Sequence, residues 1–509
     1  MKKILSILLS LMLVLSPLCI ALSSAQSADC PFIYVHGFMA KDIIADKSDK
    51  DSDTLWPPSS DKILDLVKAH IDDLLIFLVT KDYDRLADAI LDEVGDLLSA
   101  ANLDTEGEPV GNSGVYFAYP PASSITATST LDFNYDWRVD PIETAENLSD
   151  FIDYVLDASG CSQVMIECHS YGGIIVNTYT RMHGSDKIKS VCYNTTAIYG
   201  EKYTGEMMSG EIVTSGPAIA GYLKELLGEN EYSKLINGLL DIFSATGLVD
   251  DIADLGNGLV EQVGERAIRD VLLPMFGGWL SIWAMIPDGY VDSATAFVFD
   301  TLYKDDGIDH SALKSKIDRY NTEIRPYKTQ TLVEQNEEVN LYVISRYGFT
   351  SVPLTPSWRD MSDTVVDTKS SSFGASCSDY NGSFSDKFIE EHKDDEYMNA
   401  DATVYAATCL FPGQTWFIRD LQHAKSPDGL EEMTYELLCY DGQADTHTFE
   451  QYPRFLKYIP DDESVVADTT GTETEAETII DKIFKFFLKL RAAFTQVIKK
   501  LKNLIKGVA

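Results

Sequence analysis

Short apolar runs recur along the chain, each ending in small or polar residues. They are PFIYVHGF from Pro31, GVYFAYP from Gly114, SQVMIECHS from Ser162, IKSVCYNTT from Ile188, VNLYVISRYG from Val339 and QTWFIRDLQH from Gln414. Val, Ile, Tyr and Phe dominate them, which favours strands. Because the runs lack polar alternation, they predict strands buried on both faces, as in a parallel sheet. Helical periods lie between several of them. In PIETAENLSDFIDYVLDAS, residues Ile142, Ala145, Leu148, Ile152, Val155 and Leu156 share one face. Strand, helix and strand in succession predict an α/β fold with functional loops at the carboxyl ends of the strands.

Two stretches depart from that rhythm. Residues 201–324 are helical in pattern and become very apolar in VLLPMFGGWLSIWAMIPDGYVDSATAFVF, which reads as a helical cap or lid inserted over the sheet. The core is then split into a first part, 26–200, and a second part, 325–460. From residue 461 to 478 the chain turns acidic and loses its apolar period, predicting a linker. Residues 479–509 carry an apolar stripe (Ile480, Ile483, Phe484, Phe487, Leu490, Phe494, Val497, Leu501, Leu504) with eight Lys and Arg against one Asp. A basic amphipathic helix of this kind fits an anionic membrane surface or the acidic body of its own chain.

The whole chain has 509 residues and a net charge of −39, which argues against a nucleic-acid partner. Lys2 and Lys3, the apolar Ile4 to Leu22 and the small residues Ser23, Ser24 and Ala25 predict a secretory signal over 1–25 and an extracellular protein. Of eight cysteines, Cys19 falls in that signal, so an odd number remains. Cys377 and Cys409 bracket a loop-rich segment and are the expected disulfide, whereas Cys168 and Cys192 are expected as buried thiols. The acidic DKSDKDSD from Asp46 to Asp53 lacks the spacing of a calcium loop and reads as surface.

The candidate chemistry sits in QVMIECHSYGGIIV. A strand-like run meets a helix-like run at Ser170, with Gly172 two residues later and Cys168 two before. Small residues at those positions suit a strand–turn–helix that exposes a nucleophilic serine. Serine needs a base and a group that orients the base. Among later histidines, His392 and His447 lie in polar charge runs, while His423 follows the strand-like TWFIRDLQ and leads as the base. Asp360, Asp363 and Asp367 all follow the VNLYVISRYG run, and spacing alone leaves the acid open among them. Oxyanion donors are expected from the N–H of Tyr171 and the N–H of Phe38, where Gly37 permits a tight turn. His36 reads as a structural histidine of that loop.

With these residues in hand, the chain resembles the α/β-hydrolase lipases, and more narrowly the lecithin:cholesterol acyltransferase-like family. The matching segments run in order: His36-Gly37-Phe38, Tyr135-Asp136-Trp137-Arg138, Cys168-His169-Ser170-Tyr171-Gly172-Gly173, Ser362-Asp363-Thr364-Val365-Val366 and Gln422-His423. They span about Cys30 to Pro460. The resemblance implies an α/β-hydrolase fold with a mostly parallel central sheet, helices on both faces and a helical cap. It implies Asp363 as the triad acid beside Ser170 and His423, and Trp137 as a candidate wall of the acyl pocket. The implied activity is acyl-ester hydrolysis or acyl transfer on a lipid, with no cofactor and no metal. A carboxylesterase or peptidase on the same fold, or a decayed surface-binding protein, are the competing expectations.

Overall fold

The computed structural model describes residues 30–213, 262–392, 395–460 and 462–468. The expected signal, the 479–509 tail and part of the 201–324 insertion lie outside the described residues.

Eight strands form one sheet: β1 (Phe32–Val35), β2 (Thr130–Phe133), β3 (Val164–His169), β4 (Ile188–Asn194), β5 (Asn340–Tyr347), β6 (Thr415–Arg419), β7 (Phe455–Ile459) and β8 (Ser464–Ala467). Their order is β8-β7-β6-β5-β4-β3-β1-β2. All neighbours pair parallel except β7 with β8. Four helices flank it: α1 (Pro141–Ser159), α2 (Gly172–His183), α3 (Lys328–Glu338) and α4 (Asp428–Cys439). The fold class is therefore α/β with a mostly parallel sheet, as the apolar runs predict.

Burial on both faces explains why the strand runs show no alternation. In β3 to β5, Ile166, Cys168, Val191, Tyr193, Leu341 and Val343 enter one core with α1 and α2. The intervening Met165, Cys192, Tyr342 and Ile344 enter a second core, where α4 supplies Leu430, Met433 and Leu437. Each fully buried Leu, Ile or Val contributes roughly 1.5–3 kcal/mol, so both faces select apolar residues. Helix α1 begins where Asp140 caps the Ile142 N–H and Pro141 takes the first position; it stops at Gly160, whose φ of 72° suits a residue without Cβ.

Four expectations change. GVYFAYP is not a strand: Phe117 and Tyr119 pack edge-on against Phe151 of α1, and the sheet partner of β1 is the mixed-polarity TLDF of β2 instead. That strand is the exposed edge, where only Phe133 is fully buried, so its apolar signal is weak. The core also runs past Pro460, because Ser464–Ala467 pairs antiparallel with β7 inside the expected linker. In the insertion, Trp279, Leu280, Ile282, Trp283, Met285 and Ile286 share the main core with the sheet, so this part of the cover is also core. A surface so apolar is stable only when buried. Finally, helices Ser60–Ala69, Ile71–Thr80 and Tyr83–Ser99 interrupt the expected first core part, and the last of these packs on Val263 through Leu86 and Leu91.

Candidate active site

The site residues converge on the carboxyl ends of β1, β3, β5 and β6. Strand β3 ends at His169, and Ser170 follows with φ of 55°, a left-handed conformation that costs a non-glycine residue about 1 kcal/mol or more. Helix α2 starts two residues later. The turn closes because Gly172 carries no side chain: a Cβ there would lie 2.3 Å from the Val35 carbonyl oxygen and 2.7 Å from that of His36. Cys168 fills the other small position. Its thiol is buried on the α1–α2 face and donates to the Cys192 carbonyl at 3.5 Å, which accommodates the extra side chain.

The turn after β1 lies against this serine. A Cβ on Gly37 would stand 2.6 Å from the Ser170 Cβ, so only glycine fits. Among the described residues, the backbone N–H groups of Phe38 and Tyr171 have no intramolecular acceptor. His36 is structural, as expected. Its Nε2 accepts from the Tyr135 N–H at 3.2 Å, so its Nδ1–H donates to the Gly37 carbonyl at 2.9 Å. Tyr135 stacks on the imidazole and its hydroxyl donates to the His36 carbonyl at 2.6 Å. Burial, helped by Lys41, lowers the His36 pKa to about 4, which keeps the ring neutral and preserves both bonds.

The Tyr135-Asp136-Trp137-Arg138 segment thus staples the loop. Arg138 pairs with Asp136 and donates to the Ala101 carbonyl at 2.9 Å. Trp137 is 0 % exposed; its indole donates to the Lys41 carbonyl at 2.8 Å, and its ring meets Phe38 edge-on at 4.7 Å. Trp279 packs on both. Trp137→Ala is expected to cost about 3–5 kcal/mol in urea unfolding, as a cavity beneath the Phe38 turn. A variant of undiminished stability with altered acyl-length preference would instead make Trp137 a wall of the substrate pocket.

The structure brings Asp363 to His423. The His423 Nδ1 lies 2.7 Å from Asp363 Oδ2, and the His423 N–H donates to the Asp363 carbonyl at 2.8 Å. Asp363 is 0 % exposed, but every lone pair is engaged: Thr195 Oγ1 donates to Oδ2 at 2.5 Å, and the N–H groups of Val365 and Val366 donate to Oδ1. Burial pushes this carboxyl up, yet the His423 imidazole, the Thr195 hydroxyl and the Arg346 charge outweigh it and hold the group below the usual carboxylate range. Asp360 instead binds Lys202, and Asp367 caps the Ser370 N–H of a short helix. His392 and His447 pair with Asp395 and Glu396, outside this cluster. Ser170 and His423 are 5 % and 9 % exposed.

Thr195 has no counterpart in the sequence reading. Its only signal is position, directly after the end of β4, with φ of 45° turning its hydroxyl toward Asp363. Cys377 and Cys409 belong to one small core but are both free thiols, against the disulfide expected for them. Among the described residues, no group of three His, Cys, Asp or Glu side chains is arranged to hold a metal ion, and no helix is long and apolar enough to cross a membrane.

Comparison with known proteins adds little to this geometry. Neither a scan against protein-family models nor a search of curated proteins returns a match. Among solved structures, the chain is similar to one titled "The crystal structure of Tle4-Tli4 complex", over 63 % of this chain and 75 % of the other, with 11 % identity and a TM-score of 0.30.

Proposed function

We propose that this protein is a serine hydrolase or acyltransferase of the α/β-hydrolase fold, resembling the lecithin:cholesterol acyltransferase-like lipases and acting on acyl esters through Ser170, Asp363 and His423. The observation that carries the reading is the Asp363–His423 hydrogen bond, at the same end of the sheet as a serine in a left-handed turn between strand and helix. Asp363 accepts the Nδ1–H of His423, which leaves Nε2 with a lone pair for the Ser170 hydroxyl proton. The Ser170 Oγ then adds to the ester carbonyl carbon. The N–H groups of Phe38 and Tyr171 receive the oxyanion. Collapse of the adduct passes the proton from Nε2 to the leaving alcohol and forms an acyl-enzyme. Water or an acceptor alcohol releases the acyl group by the reverse sequence.

A lipid substrate is favoured by the resemblance and by the partly exposed rings of Phe38, Trp56 and Phe276, which pack on the buried Trp279 beside the oxyanion turn. The expected secretion and the basic amphipathic segment 479–509 fit work at an anionic membrane surface. The test is labelling of the intact protein with a fluorophosphonate, followed by peptide mapping and an ester panel. A single adduct on Ser170, with faster turnover of long-acyl esters on vesicles than of short soluble esters, is the expected result. Equal turnover of short esters with no gain on vesicles would leave a carboxylesterase, and absence of any adduct with and without vesicles would remove the hydrolase reading.

A further inference from the structure

The loop that carries His423 is held from below by a buried guanidinium. Arg346, on β5 and 1 % exposed, donates from one terminal nitrogen to three carbonyls of this loop: Gln422 at 2.8 Å, His423 at 3.0 Å and Lys425 at 2.9 Å. Its other terminal nitrogen donates to Asn194 Oδ1 at 2.9 Å, and Asn194 Nδ2 donates to Glu167 Oε1 at 2.8 Å. His169 closes the circle, with its Nε2–H donating to the His423 carbonyl at 3.1 Å. Burial keeps the His169 ring neutral, and the Gly37 turn packs on its Nδ1 side.

Two features separate this cluster from an ordinary strand-linking ion pair. Three of the four groups bound by Arg346 are backbone carbonyls of one loop, so the side chain fixes the path of that loop rather than the sheet, which is already closed by its own ladder. Arg346 also stands in the field of two carboxylates, Glu167 and Asp363, the second of which binds His423. An arginine alone beneath an imidazole disfavours its protonated form; a carboxylate behind the arginine offsets that effect.

Resting on the hydrolase reading above, we propose that Arg346 is a positioning residue for His423: its guanidinium, oriented by Asn194 and through it by Glu167, fixes the loop that carries the base. The groups facing Glu167 are Tyr34 on β1, Asn194 on β4, Arg346 on β5 and Glu431 on α4; those facing His423 are Asp363, His169 and Arg346. Burial pushes Glu167 up to about 7, against the opposing Asn194 hydrogen bond and Arg346 charge, so above neutral pH it carries its charge.

The experiment compares the wild type with Glu167→Gln and Arg346→Lys in the full chain, reading fluorophosphonate labelling against pH, thermal unfolding and the NMR resonances of the His423 ring. Gln keeps an oxygen for the Asn194 amide, so the guanidinium stays oriented and labelling should stay within about twofold of wild type. Lys keeps the charge, but its single nitrogen cannot serve the loop carbonyls and Asn194 Oδ1 at once, so the labelling plateau should drop about tenfold with the shape of the pH profile unchanged. The proposal is overturned if Arg346→Lys labels at the wild-type rate or leaves the His423 ring resonances where they were. Should the wild type itself not label, the hydrolase reading fails, while the His423 ring resonances of Arg346→Lys against wild type still decide whether the arginine positions the loop.

Discussion

Ser170→Ala should remain folded and lose ester turnover by about 10⁴- to 10⁶-fold in kcat. Alanine removes only the hydroxyl. The Ser170 N–H still donates to the Asn194 carbonyl at 3.2 Å, and its carbonyl still accepts from Ala197 and Gly173. The left-handed backbone costs alanine and serine a similar amount, so thermal unfolding should move little. What disappears is the atom that would form the acyl-enzyme. Residual turnover would come from the Phe38 and Tyr171 N–H groups acting on bound substrate alone. The measurement is steady-state hydrolysis alongside a melting curve. Turnover within tenfold of wild type in the folded variant would mean that another group carries the reaction.

Asp363→Asn should lower kcat about 10⁴-fold, for a reason visible in the hydrogen bonds. Oδ1 accepts from the Val365 and Val366 N–H groups, so the asparagine oxygen takes that place. The amide nitrogen must then face Thr195 and His423 Nδ1, where Oδ2 stood. It donates to Nδ1 and forces the imidazole proton onto Nε2. A ring in that tautomer has no lone pair for the Ser170 proton. Fluorophosphonate labelling should slow in parallel, because it uses the same base. Labelling close to the wild-type rate would show that Asp363 only supports the loop.

The reading of β3 and its serine depended on local pattern. An apolar run, a small residue at 168, Ser170 and Gly172 are neighbours in the chain, and so are the steric demands that link them. Strands β4, β5 and β6 were legible for the same reason: burial on both faces leaves an unbroken apolar run. Where burial is one-sided the signal fails. Edge strand β2 and the terminal pair β7 and β8 alternate in exposure and carry little apolar excess, while GVYFAYP is apolar because it packs on α1 and not because it pairs. In the insertion the apolar segment joins the main core, which accounts for its density of large apolar residues.

What the sequence by itself determined was the α/β class, the strand–serine–helix turn and the inventory of candidate acids and bases, because these depend on residues within a few positions of one another. Resemblance narrowed the acid to Asp363; by spacing Asp360, Asp363 and Asp367 remained equivalent. Only the tertiary structure separated them, by bringing the ends of β4, β5 and β6 together so that Thr195, Asp363 and His423 meet. The same convergence assembled Glu167, Asn194 and Arg346 beneath the His423 loop and turned Trp137 into a support for Phe38. Contacts of this kind join residues 27 to 168 positions apart, and at such distances a one-dimensional pattern holds no record of which polar group will offset the burial of which other.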